Sequence, residues 1–219
     1  SPTVNNSAFD LMDQKLVTSA TIIANGPYAQ DACRMANRYP QCSFGVHLNV
    51  TEFAPLSGRP ELDRLLDRHG DFDDERIREI AIDSTLAEGI FREFSAQIQK
   101  LMSLGVNVGH IDSHQHVHTM PRIFPILKRV QKRFNIRRVR ISRNLYRPDE
   151  RISPGLKFKK AVYNSMLRHY YRTKTTQGFG DFTSFYQTAT SQTLHHERVE
   201  VMVHPGSEHY GIDEVELLR

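Results

Sequence analysis

The sequence predicts an α/β fold built on parallel strands with helices outside, open or closed into a barrel. Three observations predict it. Short apolar strand patterns alternate with longer helical ones along the chain. No internal repeat or low-complexity segment interrupts them, and 219 residues suit a single domain, 1–219, with a sizeable core. Histidines stand at or just beyond the ends of several candidate strands, where such folds place their chemistry.

Ser1-Pro2 opens a helix over residues 1–14: serine caps free N–H groups and proline suits the first turn. Val4, Ala8, Leu11 and Met12 then recur at helical spacing. A strand follows over 17–24, a helix over 28–38 and a second strand over 44–50. In that strand Phe44, Val46 and Leu48 take one face, and Gly45, His47 and Asn49 the other. Residues 71–79 are acidic and polar, a loop running into a short helix. The helix over 85–104 carries Leu86, Ile90, Phe94, Ile98 and Leu101 as an apolar stripe, slightly weakened by Gly89. Strands over 106–111, 138–142 and 199–203, with helices over 121–134 and 154–171, continue the pattern. Ile212, Val215 and Leu218 predict a helical tail.

Composition excludes several classes. At 39% hydrophobic and 25% charged residues the chain is an ordinary soluble globular one. No apolar run approaches the ~20 residues of a membrane span. Cys33 and Cys42 form no CxxC pair and read as reduced, buried residues of a cytoplasmic protein. The net charge of +4 hides an asymmetry: across 122–174 the only acids are Asp149 and Glu150 among many lysines and arginines. Such a segment suits an anionic partner: a phosphorylated glycoside, a membrane surface or nucleic acid. Within it Tyr163, Met166, Leu167 and Tyr170 mark one side of an amphipathic surface helix. No nucleic-acid motif accompanies the charge, so a solvated helical face is the preferred reading, without a nucleic-acid partner. Peripheral membrane contact and a homodimer both stay open.

The densest chemistry lies in His110-Ile111-Asp112-Ser113-His114-Gln115-His116-Val117-His118. His110, Asp112, His114, His116 and His118 fall on every second position, so an extended chain would set all five on one face. Neutral imidazole beside a carboxylate suits a divalent metal. His47 near the end of the second strand, and His204 before the Pro205-Gly206 turn, join the same rim in a parallel fold.

Gly45-Val46-His47-Leu48-Asn49-Val50-Thr51, the His110 to His118 run and His204-Pro205-Gly206 resemble the three later motifs of the YdjC-like carbohydrate deacetylases. That family includes chitooligosaccharide deacetylases and hopanoid-biosynthesis-associated members. Val17 to Thr21, Ala24 to Pro27 and Pro121 to Pro125 resemble it as well, so the likeness runs along most of the chain. The resemblance implies an irregular α/β barrel related to the polysaccharide deacetylases. It implies metal-dependent removal of an N-acetyl group from an acetylated amino sugar or oligosaccharide, with His47 and His114 as metal-binding histidines. Members open with a strand ending in Ala-Asp-Asp-Phe-Gly, whose aspartates supply a general base and a ligand. That motif is absent from this sequence, in keeping with a missing first strand, and the tail helix, stopping at Arg219 without a cap, reads as lacking the C-terminal end.

The chemistry assigns roles. A metal held by two imidazoles and a carboxylate keeps positions open for water and the acetyl oxygen. One divalent ion is expected, magnesium or zinc first, with manganese or cobalt also suited. His204, arriving on a separate strand, is the candidate general acid for the leaving amine. His110, Asp112, His116, His118 and Asn49 would support the ligands or contact the sugar, and Asp112 is the fallback carboxylate ligand. Two alternatives remain: another α/β-barrel metallohydrolase, a phosphoesterase or amidohydrolase, or a non-catalytic protein that binds nucleic acid through 122–174 or metal alone.

Overall fold

The computed structural model describes residues 1–58, 60–191, 196–205 and 218. In chain order its elements are α1 (Pro2–Asp13), β1 (Ser19–Ile22), α2 (Ala29–Ala36), β2 (Ser43–Leu48), α3 (Asp74–Glu79) and α4 (Ser84–Ser103). There follow β3 (Val108–Ser113), α5 (Phe124–Phe134), β4 (Arg138–Val139), α6 (Pro154–His169), β5 (Gly178–Asp181), α7 (Phe182–Ser191) and β6 (Val199–Met202). Short 3-10 segments occupy Pro60–Leu65, His114–Thr119 and Tyr170–Arg172. The chain divides into two compact units, Thr18–Arg138 and Ser1–Val17 with Val139–Arg219. The helical tail predicted on Ile212, Val215 and Leu218 lies outside the described residues apart from Leu218.

In the Thr18–Arg138 unit, β1, β2 and β3 are successive parallel neighbours. The predicted α/β class with parallel strands therefore holds. β1 meets β2 with Thr21 opposite Gly45 and Ile22 opposite Val46. The β2–β3 register slips: Phe44 faces Val108, yet Val46 faces Ile111. The extra residue on β3 is a bulge, a device that re-aims side chains. Beyond it His47 stands opposite Asp112 and Leu48 opposite Ser113. Gly45 makes the bulge feasible. A Cβ there would sit 2.6 Å from the His110 carbonyl oxygen and from its ring, inside any allowed contact.

Helix α4 forms as its stripe predicts. Asp83 caps it, its carboxylate accepting the Leu86 N–H at 2.8 Å, and Leu86, Ile90, Phe94, Ile98 and Leu101 are fully buried. Burying each such side chain contributes about 1.5–3 kcal/mol. The helix packs on β2, β3, α5 and the Pro60–Leu65 turn. Gly89 is where that turn comes closest: an added Cβ would lie 3.0 Å from the Glu61 Cβ. The residue that weakens the helix locally thus permits its tertiary contact. Helix α5 starts three residues later than predicted, because tight turns at Met120 and Ile123 precede it. It ends on Asn135 in the left-handed conformation, φ 53°.

In the second unit, Ser1 caps α1, accepting the Val4 N–H at 3.3 Å, and Phe9, Leu11 and Met12 are buried while Val4 stays exposed. Strands β5 and β6 pair in parallel, Gly178 opposite Val199 and Asp181 opposite Met202. The predicted strand over 138–142 shrinks to β4, and Ser142 bonds instead to a side chain. Its N–H donates to Asn164 Oδ1 at 2.8 Å, and its carbonyl accepts from Asn164 Nδ2 at 3.1 Å. The predicted apolar side divides: Tyr163 and Leu167 of α6 are buried, while Met166 of α6 and Tyr170 just beyond it are exposed. Cys33 is buried, with its thiol pushed up to about 11 mainly by that burial, and Cys42 is a half-buried free thiol. Among the described residues no helix is long and apolar enough to cross a membrane.

Candidate functional site

The site grows from the register of β1, β2 and β3. Thr21, His47 and Asp112 lie side by side, one from each strand. Asp112 is nearly inaccessible, its side chain 1% exposed, so its carboxylate needs internal donors. It has them. His47 Nδ1 lies 2.6 Å from Oδ1, and the Thr21 hydroxyl donates to Oδ2 at 3.1 Å. Thr21 Oγ1 is also 3.0 Å from His47 Nδ1. A carboxylate can only accept here, so Nδ1 carries a proton, and in the neutral ring the lone pair then falls on Nε2. This is the arrangement that fixes the tautomer of a metal-ligating histidine.

His114 follows β3 directly. Its ring meets that of His47 edge-on, centroids 5.6 Å apart. Burial, reinforced by the adjoining His47, lowers its pKa to about 4, against smaller opposing effects of Asp112 and Asp74. The imidazole is therefore neutral at physiological pH, the state a metal requires. Glu52 Oε1 approaches His114 Nε2 at 3.5 Å. With His114 neutral, this is a carboxylate beside an uncharged ring rather than an ion pair. Burial raises the Glu52 carboxyl above the usual range, partly offset by His47.

Other predicted residues are distributed differently. The alternating run does not stay extended. β3 ends at Ser113, and a turn with Gln115 and His116 both left-handed, φ 47° and 58°, follows. Such conformations cost roughly 1–2 kcal/mol per L-residue. Here Arg78 holds Gln115, donating to its side chain at 2.7 Å, and the Thr119 hydroxyl donates to the His116 carbonyl at 2.8 Å. Only His110 and Asp112 keep strand alternation. His110 lies back along β3, its ring between the Ser19 and Ser43 hydroxyls, each at 3.3 Å, which begin β1 and β2. It thus serves the opposite end of the sheet from His114. His116 is half-buried in the turn. His118 is fully buried, and the Ser113 hydroxyl accepts its N–H at 2.9 Å and meets its Nδ1 at 2.5 Å, which closes the turn.

Asn49 is fully buried with both ends of its amide engaged. Its oxygen accepts the Thr51 N–H and hydroxyl, and its nitrogen donates to Glu52 O at 2.7 Å and Asn25 Oδ1 at 3.0 Å. It builds the loop that carries Glu52. His204 follows β6 in the other unit and is half-buried. Thr21 and Glu52 are residues that sequence reasoning missed. A hydroxyl in the middle of a strand, and an acid just beyond the His47 motif, were the available signals.

Among the described residues no group of three or more histidine, cysteine or acidic side chains is gathered to hold a metal. They offer two imidazoles in contact, one backed by a buried carboxylate, with Asp112 committed to His47 and Thr21. That donor set fits two of a metal's ligands.

Parallel α/β units with a histidine pair at the strand ends define a class of fold and site. The YdjC-like protein family model matches residues 1–217, and the chain belongs to that family. A carbohydrate deacetylase of Geobacillus stearothermophilus is 35% identical over 142 residues, 64% of this chain and 56% of that protein. One from Vibrio campbellii is 33% identical over 134 residues, 61% of this chain and 51% of that protein. The chain thus spans about half the length of the curated relatives it matches. A solved Enterococcus faecalis V583 structure, of a candidate cellobiose-phosphate cleavage protein, matches with a TM-score of 0.78 and 23% identity. The match covers 100% of this chain and 85% of that one, so the fold is shared along its length.

Proposed function

We propose that the protein is a metal-dependent carbohydrate deacetylase acting on an N-acetylated amino sugar or its oligosaccharides. The observation that carries this reading is the His47–His114 pair, 5.6 Å between centroids, with Asp112 behind His47. The names of the relatives support the reaction class. His47 and His114 would hold one divalent ion, magnesium or zinc, through the lone pairs of their neutral rings. When bound, that ion would lower the pKa of a water molecule and polarise the acetyl oxygen.

The chain's own residues do the rest. Asp112 and Thr21 fix the His47 tautomer. Glu52, raised by burial and 3.5 Å from His114, would take a proton from water. His204 is assigned the proton donated to the leaving amine, on the strength of its motif. The test is acetate release from N,N′-diacetylchitobiose by the full-length protein, with and without chelator. Release should stop on chelation and return with a divalent ion. Replacing His204 by Ala should lower kcat by about 10²–10⁴-fold with metal content unchanged. Chelator-resistant release, or none with any metal, would refute the reading.

A further inference from the structure

The unit of residues Ser1–Val17 and Val139–Arg219 contains a cavity of about 550 Å³, within the usual size range of small-ligand sites. Tyr146, Lys157, Lys160, Asn164, Arg168 and His196 are among its lining residues. None of them belongs to the His47–His114 site. Three cations converge on the Tyr146 ring: Arg143, with its guanidinium carbon 4.9 Å from the centroid, and the Lys160 and Lys157 amines at 5.2 and 5.8 Å.

Their compensation is unequal. Arg143 is paired with both Glu150 and Asp181, the latter at 3.2 Å. Among the described residues neither lysine has an ion-pair partner, and an aromatic face only partly offsets an ammonium charge. No acid lies in the sequence between Glu150 and Asp181. The Lys160 amine is pulled down, first by burial and then by the charge of Arg143, with Glu150 acting in the opposite direction. Arg168 adds a guanidinium at the wall, held by donation to Thr175 Oγ1 at 2.9 Å. The Asn164 amide is spent on Ser142 and leaves recognition to the charges. His196 closes in over Gly178, where a Cβ would stand 2.9 Å from its ring carbon. A cavity lined this way, with two ammonium groups beside one aromatic ring, matches a doubly charged oxyanion carried on a small polar body.

We propose that the Tyr146 cavity binds a phosphate monoester, with Lys157 and Lys160 holding the phosphate and Arg168 and His196 beside it. Lysine binds phosphate as a point charge and needs no planar fork. Sugar phosphates and lipid headgroups share this chemistry, and the test separates them. The protein is titrated calorimetrically with glucose 6-phosphate at constant ionic strength in sodium chloride, and its sedimentation with phosphatidic acid vesicles is measured. Glucose 6-phosphate should bind saturably at one site. The Lys157→Ala/Lys160→Ala variant should bind at least tenfold more weakly, and the exposed Lys132→Ala control should match wild type. Vesicle binding that is sensitive to the same two lysines, without glucose 6-phosphate binding, would assign the site to a lipid headgroup. If the double variant does not fold, Lys157→Ala alone, at an exposed position, should weaken binding at least threefold. Binding of neither probe, or equal weakening in Lys132→Ala, would overturn the proposal.

Discussion

Replacing Asp112 by Asn keeps the side chain's shape and removes its charge, which isolates what the carboxylate does for His47. The wild-type group is 1% exposed and sits at 2.6 Å from His47 Nδ1 and 3.1 Å from the Thr21 hydroxyl. An amide presenting its oxygen to His47 turns an NH₂ toward Thr21. The threonine oxygen then receives donors from both neighbours, and its own proton loses its acceptor. Hydrogen bonds to a charged group contribute about 1.5–3 kcal/mol, so Asp112→Asn should lower unfolding stability by about that amount in urea. It should also loosen the tautomer that leaves Nε2 free. Losing such a supporting partner typically weakens metal affinity 10–100-fold, about 1.4–2.7 kcal/mol. Calorimetric titration with zinc and with magnesium reads the second effect separately from the first. A variant that is destabilised yet binds metal within twofold of wild type would refute the orienting role and leave Asp112 purely structural.

Gly45→Ala should lower stability by about 1–3 kcal/mol or more, because the new Cβ meets backbone oxygen at 2.6 Å and cannot be relieved by a rotamer change. Urea midpoints check it, and a change below half a kcal/mol would place the β2–β3 bulge elsewhere. The metal-free protein should lose stability as pH falls from about 6.5 to 4. The folded His114 resists protonation down to about 4, whereas the unfolded histidine takes its proton near 6.5. The unfolded chain therefore binds more protons in that window, at a cost of up to about 3 kcal/mol. His114→Gln should flatten this part of the stability–pH curve, and equal slopes in the two proteins would contradict it.

Local patterns were the legible part of the fold. The α4 stripe and the Ser1-Pro2 start depend on neighbours within a few residues, and both appear where their spacing predicts. Strand β5 escaped because Gly178-Phe179-Gly180-Asp181 offers no apolar alternation. Its glycines answer to distant groups, Gly180 admitting the Leu145 Cβ at 3.0 Å and Gly178 admitting His196. Helix α7 is rich in serine and threonine and reads poorly by propensity. Its start was nonetheless signalled by Asp181, which accepts the Ser184 N–H at 2.8 Å.

At the site, His47 and His114 stand out by motif, yet their support does not. Thr21 reaches Asp112 across 91 positions of sequence, through a register set by a bulge. The strict alternation of the histidine run misled in the opposite way. Nothing in its spacing reveals that Gln115 and His116 turn left-handed under the hold of Arg78. His110 therefore works at one end of the sheet and His114 at the other.

His47 and His114 are proposed to share one divalent ion. Cobalt substitution tests it most directly, because the visible spectrum of bound cobalt reports its ligands. The full-length protein should bind one equivalent, and His47→Ala and His114→Ala should each abolish that spectrum while retaining the circular dichroism of the fold. Full cobalt occupancy with an unchanged spectrum in either variant would contradict the claim.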